Sequence, residues 1–221
     1  MSARITDAVN DSGFAIIRNH LPKDSSLAAF SQIGTVLRLP RVADVQVLAP
    51  RSEVESYPNT YSGNYGWSEF PLHTDLAHWY VPPRFFALRC VTGVGEVATH
   101  LLDGNALLAV IGETALRRAL VQPRRPVERN RPLLRLLESH AGIATRFRWD
   151  RLFVSPATAA SATTCDAVSE YLAAAKPAEV VLLSPGDTLI VDNWRMLHGR
   201  SAVPTTARAR RIERAYFGAL N

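Results

Sequence analysis

The sequence predicts a mostly β fold with flanking helices, arranged as a double-sheet jelly roll or a small barrel. Short apolar runs bounded by turn residues recur along the chain and have the length of strands. The clearest pattern is a strand, a tight turn and a second strand at 179–183, 184–187 and 188–192. Helical patterns are fewer and lie mainly near the start and in the middle of the chain.

Each predicted element follows from the local hydrophobic pattern and its turn residues. The predicted strands are 13–19, 45–48, 84–91, 99–103, 146–149, 179–183, 188–192 and 211–217, with a further ordered segment from residue 72. The predicted helices are 24–37 with Asp24 or Ser25 as cap, 104–121 with a break at Gly112, and 164–175 with Thr164 as cap. Residues 49–68 are rich in Ser, Tyr, Asn, Gly and Pro and predict a loop.

The length and composition favour a single soluble domain. A chain of 221 residues is expected to fold as one domain, 1–221, with a helical and loop insertion at about 104–146. Its 47% hydrophobic and 20% charged residues are ordinary for a globular protein. No apolar run reaches the roughly 18 residues of a membrane span. Cys90 and Cys165 form no disulfide framework, so a cytoplasmic location is expected.

The basic charge does not by itself predict nucleic-acid binding. The net charge is +5 and the pI is about 9.6, but the arginine clusters at 117–118 and 124–125 are interpreted as solvated faces. No RNA- or DNA-binding motif is present. The expected partner is therefore a small molecule, with neither nucleic acid nor membrane involved, and a homo-oligomer is compatible with the sequence.

The segment FPLHTDLAH, residues 70–78, raises the question of a metal site. Side chains at i and i+2 of a strand point to the same face, so His73 and Asp75 are expected to project together. His198, which follows the C-terminal strand pair and precedes Gly199, is the candidate third ligand. Two histidines and a carboxylate form the ligand set of non-haem Fe(II) oxygenases. An H-x-D pair alone is more often structural, for example as a buried salt bridge.

Several segments resemble the TauD/TfdA family of Fe(II)- and 2-oxoglutarate-dependent dioxygenases, and also its γ-butyrobetaine hydroxylase branch. They are GFAIIRNHLP, NYGWSEFPLHTDLAHWYVPPRFFALRCV, THLLDG, SPGDTLIVDNWRMLHGR and RRIERAYFGAL, and they occur in family order. The resemblance implies a double-stranded β-helix, a form of jelly roll, in agreement with the strand-rich pattern. It also implies Fe(II) and 2-oxoglutarate as cofactors, with dioxygen as co-substrate.

The resemblance assigns roles to individual residues. The three candidate metal ligands match the family's iron ligands and are thus the expected catalytic residues. Thr99 and Arg210 match the residues that bind the distal carboxylate of 2-oxoglutarate, and a guanidinium is a natural partner for a planar carboxylate. A shift of one residue would exchange Arg210 with Arg211, and the alignment of the chain's tail favours Arg210.

The implied reaction is hydroxylation of an unactivated C–H bond of a small anionic or amino-acid-like metabolite, with succinate and CO2 as co-products. Because position 75 carries a carboxylate, hydroxylation is expected rather than halogenation. Desaturation and cyclisation by the same iron chemistry are alternatives. A non-redox, cupin-like metalloenzyme such as an isomerase would share the ligands but would not need the Thr99 and Arg210 pair. A binding module would not need an intact ligand set.

Four further residues are candidates for substrate binding. Arg214 shares a strand face with Arg210, and since an unpaired inward arginine is costly, it is expected to bind a substrate anion or, alternatively, an acidic side chain of the protein. Glu69 is a candidate partner for a substrate amine. Tyr65, eight residues before the first ligand, matches an aromatic residue that cages a trimethylammonium group in the γ-butyrobetaine branch, and Trp67 lies near it. The alternative is that Tyr65 and Trp67 pack the loop.

Overall fold

The computed structural model describes residues 2–126, 130–140 and 144–221. Its helices are α1 (Ser2–Ser12), α2 (Ser26–Ser31), α3 (Tyr61–Tyr65), α4 (Asn105–Ile111), α5 (Glu113–Arg118) and α6 (Ala159–Ala174), with a short 3-10 helix at Thr205–Ala207. Its strands are β1 (Phe14–Ile17), β2 (Gly34–Val36), β3 (Gln46–Leu48), β4 (Phe70–His73), β5 (Phe85–Thr92), β6 (Thr99–Asp103), β7 (Leu120–Pro123), β8 (Leu134–Arg135), β9 (Leu137–His140), β10 (Ala144–Phe147), β11 (Val154–Pro156), β12 (Ala178–Val180), β13 (Thr188–Asp192), β14 (Met196–Arg200) and β15 (Arg211–Leu220).

Two antiparallel sheets dominate the structure. The larger has the strand order β1-β13-β5-β15-β2, and β3 also pairs with β15. The smaller has the order β12-β6-β14-β4. Short sheets of β10-β9 and β11-β7-β8 lie in the middle segment of the chain. The described part of the chain is thus mostly β with some helices, which confirms the sequence prediction at this level.

The two large sheets contribute side chains to one hydrophobic cluster. Phe86, Leu189 and Ile212 of the larger sheet belong to the same cluster as Leu101 and Met196 of the smaller sheet. Burial of each such side chain contributes about 1.5–3 kcal/mol relative to its exposure. This cluster fixes the relative position of the strands that carry the candidate ligands.

Helices α1 and α2 cover the opposite face of the larger sheet. Val9 of α1 and Phe30 of α2 belong to a cluster with Ala87, Ile190 and Phe217 of that sheet. Helix α1 was not predicted from the polar N-terminal sequence. Short helices gain most of their stability from tertiary packing, which the sequence pattern does not reveal.

The turn at 184–187 joins the two sheets instead of closing a hairpin. Strand β12 pairs with β6, whereas β13 pairs with β1 and β5, so the two predicted strands beside the turn do not pair with each other. The Asp187 carboxylate accepts the N–H groups of Leu183 and Ser184, and Gly186 adopts a φ of +87°. This local chemistry is the same for a hairpin and for a sheet-to-sheet connection, so the sequence pattern predicts the turn but not the pairing of the strands beside it.

The predicted helices differ from the observed helices in their bounds. Helix α2 is shorter than the predicted 24–37, because Gly34–Val36 pairs with β15 as a strand. Helix α6 begins before the predicted 164–175, and the side chain of Thr158 accepts the capping hydrogen bond. Gly112 separates α4 from α5 at a φ of +90°, as predicted.

The middle segment forms a third hydrophobic cluster. Leu107 of α4 and Val168 of α6 are completely buried within it. The predicted insertion at about 104–146 contributes α4, α5 and strands β7 to β10, while its stretches 127–129 and 141–143 lie outside the described residues. None of the helices in the described ranges is both long enough and apolar enough to cross a membrane.

Candidate metal centre and anion site

Three buried side chains converge around one small volume. The candidate ligand atoms of His73, Asp75 and His198 all lie within 4.8 Å of one another. Asp75 Oδ1 is 3.8 Å from His73 Nε2 and 3.6 Å from His198 Nε2. These distances are long for hydrogen bonds, whereas N and O ligands about 2.1 Å from a shared ion lie roughly 3–4 Å apart. The spacing and the donor types fit a metal site with two histidines and one carboxylate, the ligand set of non-haem Fe(II).

Strand pairing brings the two histidines together. His198 in β14 lies directly opposite His73 at the end of β4, and the ring centroids are 4.3 Å apart. His73 Nδ1 lies 2.8 Å from the Pro71 carbonyl oxygen and donates to it, which leaves Nε2 free to bind a metal. A Cβ at Gly199 would come within 2.5 Å of the Phe70 carbonyl oxygen. Gly199 therefore allows β4 to approach β14.

Asp75 lies beyond the end of β4. The alternation of side chains along a strand therefore does not determine the direction of its side chain. Its main chain is held by Asn193, whose side-chain oxygen accepts the Asp75 N–H at 2.7 Å. The Asn193 amide also donates to the carbonyls of Asp75 and Pro83, both at 3.0 Å. Asn193 thus fixes the turn that carries the carboxylate ligand.

The outer oxygen of Asp75 is occupied by two donors from β15. Arg214 Nη1 donates to Asp75 Oδ2 at 2.6 Å, and the Tyr216 hydroxyl donates to the same oxygen at 3.0 Å. Arg214 Nη2 donates to Gln46 Oε1 at 2.9 Å on the neighbouring strand. Oδ1 is therefore left facing the two histidines. Sequence reasoning missed Tyr216, although it follows Arg214 by two residues on the same face.

The partner of Arg214 bears on one substrate prediction. An inward arginine needs an anion, and in this structure the anion is the Asp75 carboxylate. This corresponds to the alternative in which an acidic side chain of the protein neutralises Arg214. The contact favours this alternative, and the substrate role of Arg214 stays a prediction.

Burial and local charge set the protonation of the candidate ligands. Burial alone raises the pKa of Asp75, but the Arg214 guanidinium and His198 hold the pKa of this carboxyl well below its usual range. Burial, together with the neighbouring His73, lowers the pKa of His198 to about 4. At neutral pH Asp75 is ionised and His198 is neutral, and these are the forms that bind metals.

The predicted cofactor residues are Arg210, which carries a positive charge, and Thr99. Both side chains are buried. Arg210 Nε has no hydrogen-bond partner, and within the described ranges no acidic side chain forms an ion pair with Arg210. Arg211, by contrast, is exposed and lies 3.6 Å from the Glu213 carboxylate. A buried guanidinium without a counter-ion is unfavourable, so the Arg210 site fits an anionic ligand.

Arg200 adds a second positive charge to this region. It lies on β14 opposite Thr99, and its guanidinium stacks 3.7 Å from the Phe70 ring centroid. It donates to the carbonyls of Gly66 and Ser68. Burial and the charge of Arg210 lower the pKa of Arg200 to about 10, so both arginines stay charged at neutral pH. Sequence reasoning missed Arg200, although its spacing of two from a candidate ligand was a usable signal.

One family model matches the C-terminal part of the chain. Residues 117–216 match the family model of the taurine catabolism dioxygenase TauD, TfdA family. The match covers a little under half of the chain. It includes the candidate ligand His198 and the candidate cofactor arginine Arg210. A comparison with curated proteins gives no match.

Solved structures share the fold of this TauD/TfdA-like chain. PvcB from Pseudomonas aeruginosa is 19% identical with a TM-score of 0.72, over 99% of this chain and 80% of that one. The oxygenase OrfP is 19% identical with a TM-score of 0.65, over 97% of this chain and 77% of that one. Asparagine oxygenase is 19% identical with a TM-score of 0.61, over 78% of this chain. The matched region spans only 56% of the asparagine oxygenase chain.

Two of the predicted substrate residues contact other parts of the protein. Glu69 has a side chain that is 64% exposed, and it lies 3.4 Å from His100, the outward neighbour of Thr99. The prediction that Glu69 binds a substrate amine is therefore not supported. Trp67 stacks under the Arg208 guanidinium at 3.5 Å and packs against a small peripheral cluster, as its alternative packing role requires.

Aromatic rings extend from the metal centre through Tyr61, a residue that sequence reasoning missed. The Tyr61 ring stacks on the His73 imidazole with centroids 4.0 Å apart, and Tyr65 stacks on Tyr61 at 5.7 Å. Phe153 lies 6.0 Å from Tyr61. Tyr65 is thus the second ring out from the candidate ligand, and its substrate role stays a prediction.

The carboxylate of Asp150 lies beside this stack and was also missed. Asp150 is 1% exposed, and its Oδ1 accepts the N–H groups of Leu152 and Phe153. Burial raises the pKa of Asp150 to about 6, against the opposing charge of His73 and the contact with the Tyr61 hydroxyl. No local sequence motif singles out Asp150. Its position beside the aromatic rings results from the tertiary fold of the middle segment, which the local sequence does not predict.

Proposed function

We propose that this protein is an Fe(II)- and 2-oxoglutarate-dependent oxygenase that hydroxylates an unactivated C–H bond of a small, amino-acid-like metabolite. One observation carries the proposal: a cluster of two histidines and a carboxylate coexists with Arg210, a buried arginine that lacks an acidic partner among the described residues. The cluster alone would suit a non-redox, cupin-like metalloenzyme. The unpaired guanidinium adds a binding site for the distal carboxylate of 2-oxoglutarate.

The chain's residues divide the work of such an enzyme. His73, Asp75 and His198 would hold the iron, and Thr99 and Arg210 would bind the distal carboxylate of the cofactor. When bound, Fe(II) with 2-oxoglutarate and dioxygen supplies the oxidation of a C–H bond, with succinate and CO2 as co-products. The protein supplies ligand geometry, substrate placement and exclusion of competing reactions.

The proposal also includes the fold of the enzyme, its cellular location and its oligomeric state. The two large sheets are those of a double-stranded β-helix, and residues 1–221 form one such domain. Its support is that the larger sheet joins strands from both ends of the chain, β1 beside β13 and β2 beside β15. We expect a cytoplasmic enzyme with a small-molecule substrate, and a homo-oligomer is compatible with this role.

Structural neighbours inform the substrate class. Asparagine oxygenase was solved in complex with 3-hydroxyasparagine and succinate, and OrfP with iron, succinate and (3S)-hydroxy-L-Arg. PvcB is described as an iron and α-ketoglutarate dependent oxygenase of an isonitrile synthetic pathway. Amino acids and their derivatives are therefore the first substrates to test, with hydroxylation ahead of desaturation or cyclisation. The finer assignment to a γ-butyrobetaine hydroxylase branch depends on Tyr65. It is tested by including γ-butyrobetaine among the candidate substrates.

The proposal predicts a cofactor complex that forms without substrate. Under anaerobic conditions, Fe(II) and 2-oxoglutarate together are expected to produce a weak visible charge-transfer band in the wild-type protein. His73→Ala should abolish the band, because it removes an iron ligand. Arg210→Ala should weaken 2-oxoglutarate binding on the order of 100-fold, since loss of one partner of a buried charge pair costs about 2–5 kcal/mol.

Arg211→Ala is the matched control, because it removes an exposed arginine at the adjacent position. Its band and 2-oxoglutarate affinity should equal those of the wild type. A folded, metal-binding wild-type protein without the band would reject the oxygenase proposal in favour of the cupin-like alternative. A large loss in Arg211→Ala, with none in Arg210→Ala, would reverse the assignment of the cofactor arginine.

A further inference from the structure

The two carboxylate oxygens of Asp75 have different surroundings. Oδ1 lies 3.8 and 3.6 Å from the ring nitrogens of His73 and His198. Oδ2 accepts hydrogen bonds from Arg214 Nη1 at 2.6 Å and from the Tyr216 hydroxyl at 3.0 Å. A carboxylate oxygen has about two lone-pair directions, so these two donors fill the capacity of Oδ2 as an acceptor. Oδ1 is therefore the oxygen that keeps a lone pair for a metal.

The two donors are held in place by the larger sheet. Arg214 and Tyr216 are two residues apart on β15, so their side chains share a face. Arg214 Nη2 also donates to Gln46 Oε1 at 2.9 Å on the paired strand β3. The Tyr216 ring is buried in the cluster shared by the two large sheets, and the Arg214 guanidinium lies 5.0 Å from its centroid. The sheet, and not the turn that carries Asp75, thus determines where Oδ2 can lie.

The Asp75 carboxylate is consequently held from two directions. Asn193 fixes its main chain by accepting the Asp75 N–H at 2.7 Å, while β15 fixes its outer oxygen. A rotation that turned both oxygens toward the two histidines would break the buried ion pair with Arg214. Breaking such a pair is strongly unfavourable, because it leaves a charge buried without a partner. The protein therefore opposes this rotation.

We propose that Tyr216 and Arg214 are positioning residues that restrict Asp75 to binding iron through Oδ1 alone. A carboxylate can bind a metal through one oxygen or through both. Binding through one oxygen leaves one more coordination position open, and an iron site of this ligand type uses its open positions for 2-oxoglutarate and dioxygen. The two donors also withdraw electron density from the carboxylate, which makes it a weaker ligand and raises the Fe(III)/Fe(II) potential. This assignment rests on the proposed oxygenase function and specifies how its metal site stays open.

The test compares Tyr216→Phe, which keeps the ring and removes the hydroxyl, with Tyr171→Phe as the matched control. Tyr171 lies on α6 and packs against the hydrophobic cluster of the middle segment. The Fe(III)/Fe(II) potential is measured by anaerobic redox titration of the iron-loaded protein, and the charge-transfer band is recorded after 2-oxoglutarate is added to the Fe(II) protein. We expect a lower potential and a band at longer wavelength in Tyr216→Phe, because the carboxylate becomes a stronger donor. Tyr171→Phe should give the wild-type values.

A crystal structure of the Fe(II)-loaded wild-type protein, grown without oxygen, tests the assignment independently of any variant. We expect one oxygen of Asp75 on the metal and the other still bonded to Arg214 and Tyr216. Two oxygens on the metal would overturn the assignment. This structure decides the question if Tyr216→Phe does not fold.

An unchanged potential and an unchanged band in Tyr216→Phe would also overturn the assignment, because a merely structural hydroxyl would affect only the stability of the fold. The potential and the metal-bound structure require iron but no 2-oxoglutarate. A wild-type protein that binds iron through one oxygen of Asp75 but gives no charge-transfer band would therefore reject the oxygenase proposal and still support the positioning of Asp75 by β15.

Discussion

Replacing Arg214 with methionine is expected to lower the free energy of unfolding of the metal-free protein by about 3–5 kcal/mol, because it leaves the buried carboxylate of Asp75 without its cation. Methionine keeps much of the apolar volume, so the main loss is electrostatic. Urea unfolding of the wild type and the variant, without metal, measures the difference. Arg211→Met is the matched control and should change the stability by less than about 0.5 kcal/mol, since its pair with Glu213 is on the surface.

The pH dependence identifies the source of this loss. The folded pKa of Asp75 lies below its unfolded value of about 3.9, so its stabilising contribution is present above that pH and disappears as the pH falls through the folded pKa. In Arg214→Met the folded pKa of Asp75 should rise, because burial then acts without the Arg214 charge, so this acid dependence should shrink or reverse in sign. The double variant Asp75→Asn, Arg214→Met should cost less than the sum of the single variants, because the pair is coupled. Additive losses would show that Arg214 stabilises the fold independently of Asp75.

The proximity of the three candidate ligands could be predicted because each lies in a distinctive local motif. The position of the Asp75 side chain, however, does not arise in the way that was predicted. Asp75 is aimed by a turn that Asn193 holds, not by strand alternation. Alternation does hold in β15, where Ile212 and Tyr216 both pack in the cluster shared by the two large sheets. Local periodicity thus predicts which residues share a face but not what lies opposite that face.

The residues that sequence reasoning missed or misassigned depend on long-range pairing. Arg214 and Tyr216, on the same strand, both donate to the outer oxygen of Asp75. Asp75 itself lies in a turn 139 positions from Arg214 in the sequence. Glu69 precedes the ligands by a few residues, yet its exposed carboxylate lies beside His100. Asp150 reaches the site through the fold of the middle segment. Sequence separation and register, rather than residue type, decide these cases.

Replacing Glu138 with glutamine should produce a second large loss of stability, about 3–5 kcal/mol, because one carboxylate neutralises two buried guanidiniums. Arg146 and Arg148 are 3% and 0% exposed in their side chains, and both donate to Glu138 Oε1. Arg148 also donates to the carbonyls of Ala77 and Trp79, just after the candidate ligand Asp75. The substitution should therefore also weaken metal binding, measured as a higher Kd for Fe(II) under anaerobic conditions.

Acid titration separates this charge effect from a simple packing defect. Burial raises the pKa of Glu138, but hydrogen bonds and charges from Arg146 and Arg148 lower it below its usual value overall. Its contribution is therefore present above the unfolded pKa of about 4.3 and is lost as the pH falls through the lower folded pKa, so Glu138→Gln should flatten the stability profile in that range. Glu113→Gln, which removes an exposed helical pair with Arg117, should cost about 0.5 kcal/mol or less. If Glu138→Gln were as mild as this control, the anchoring of the turn after Asp75 would depend on the carbonyl contacts of Arg148 alone.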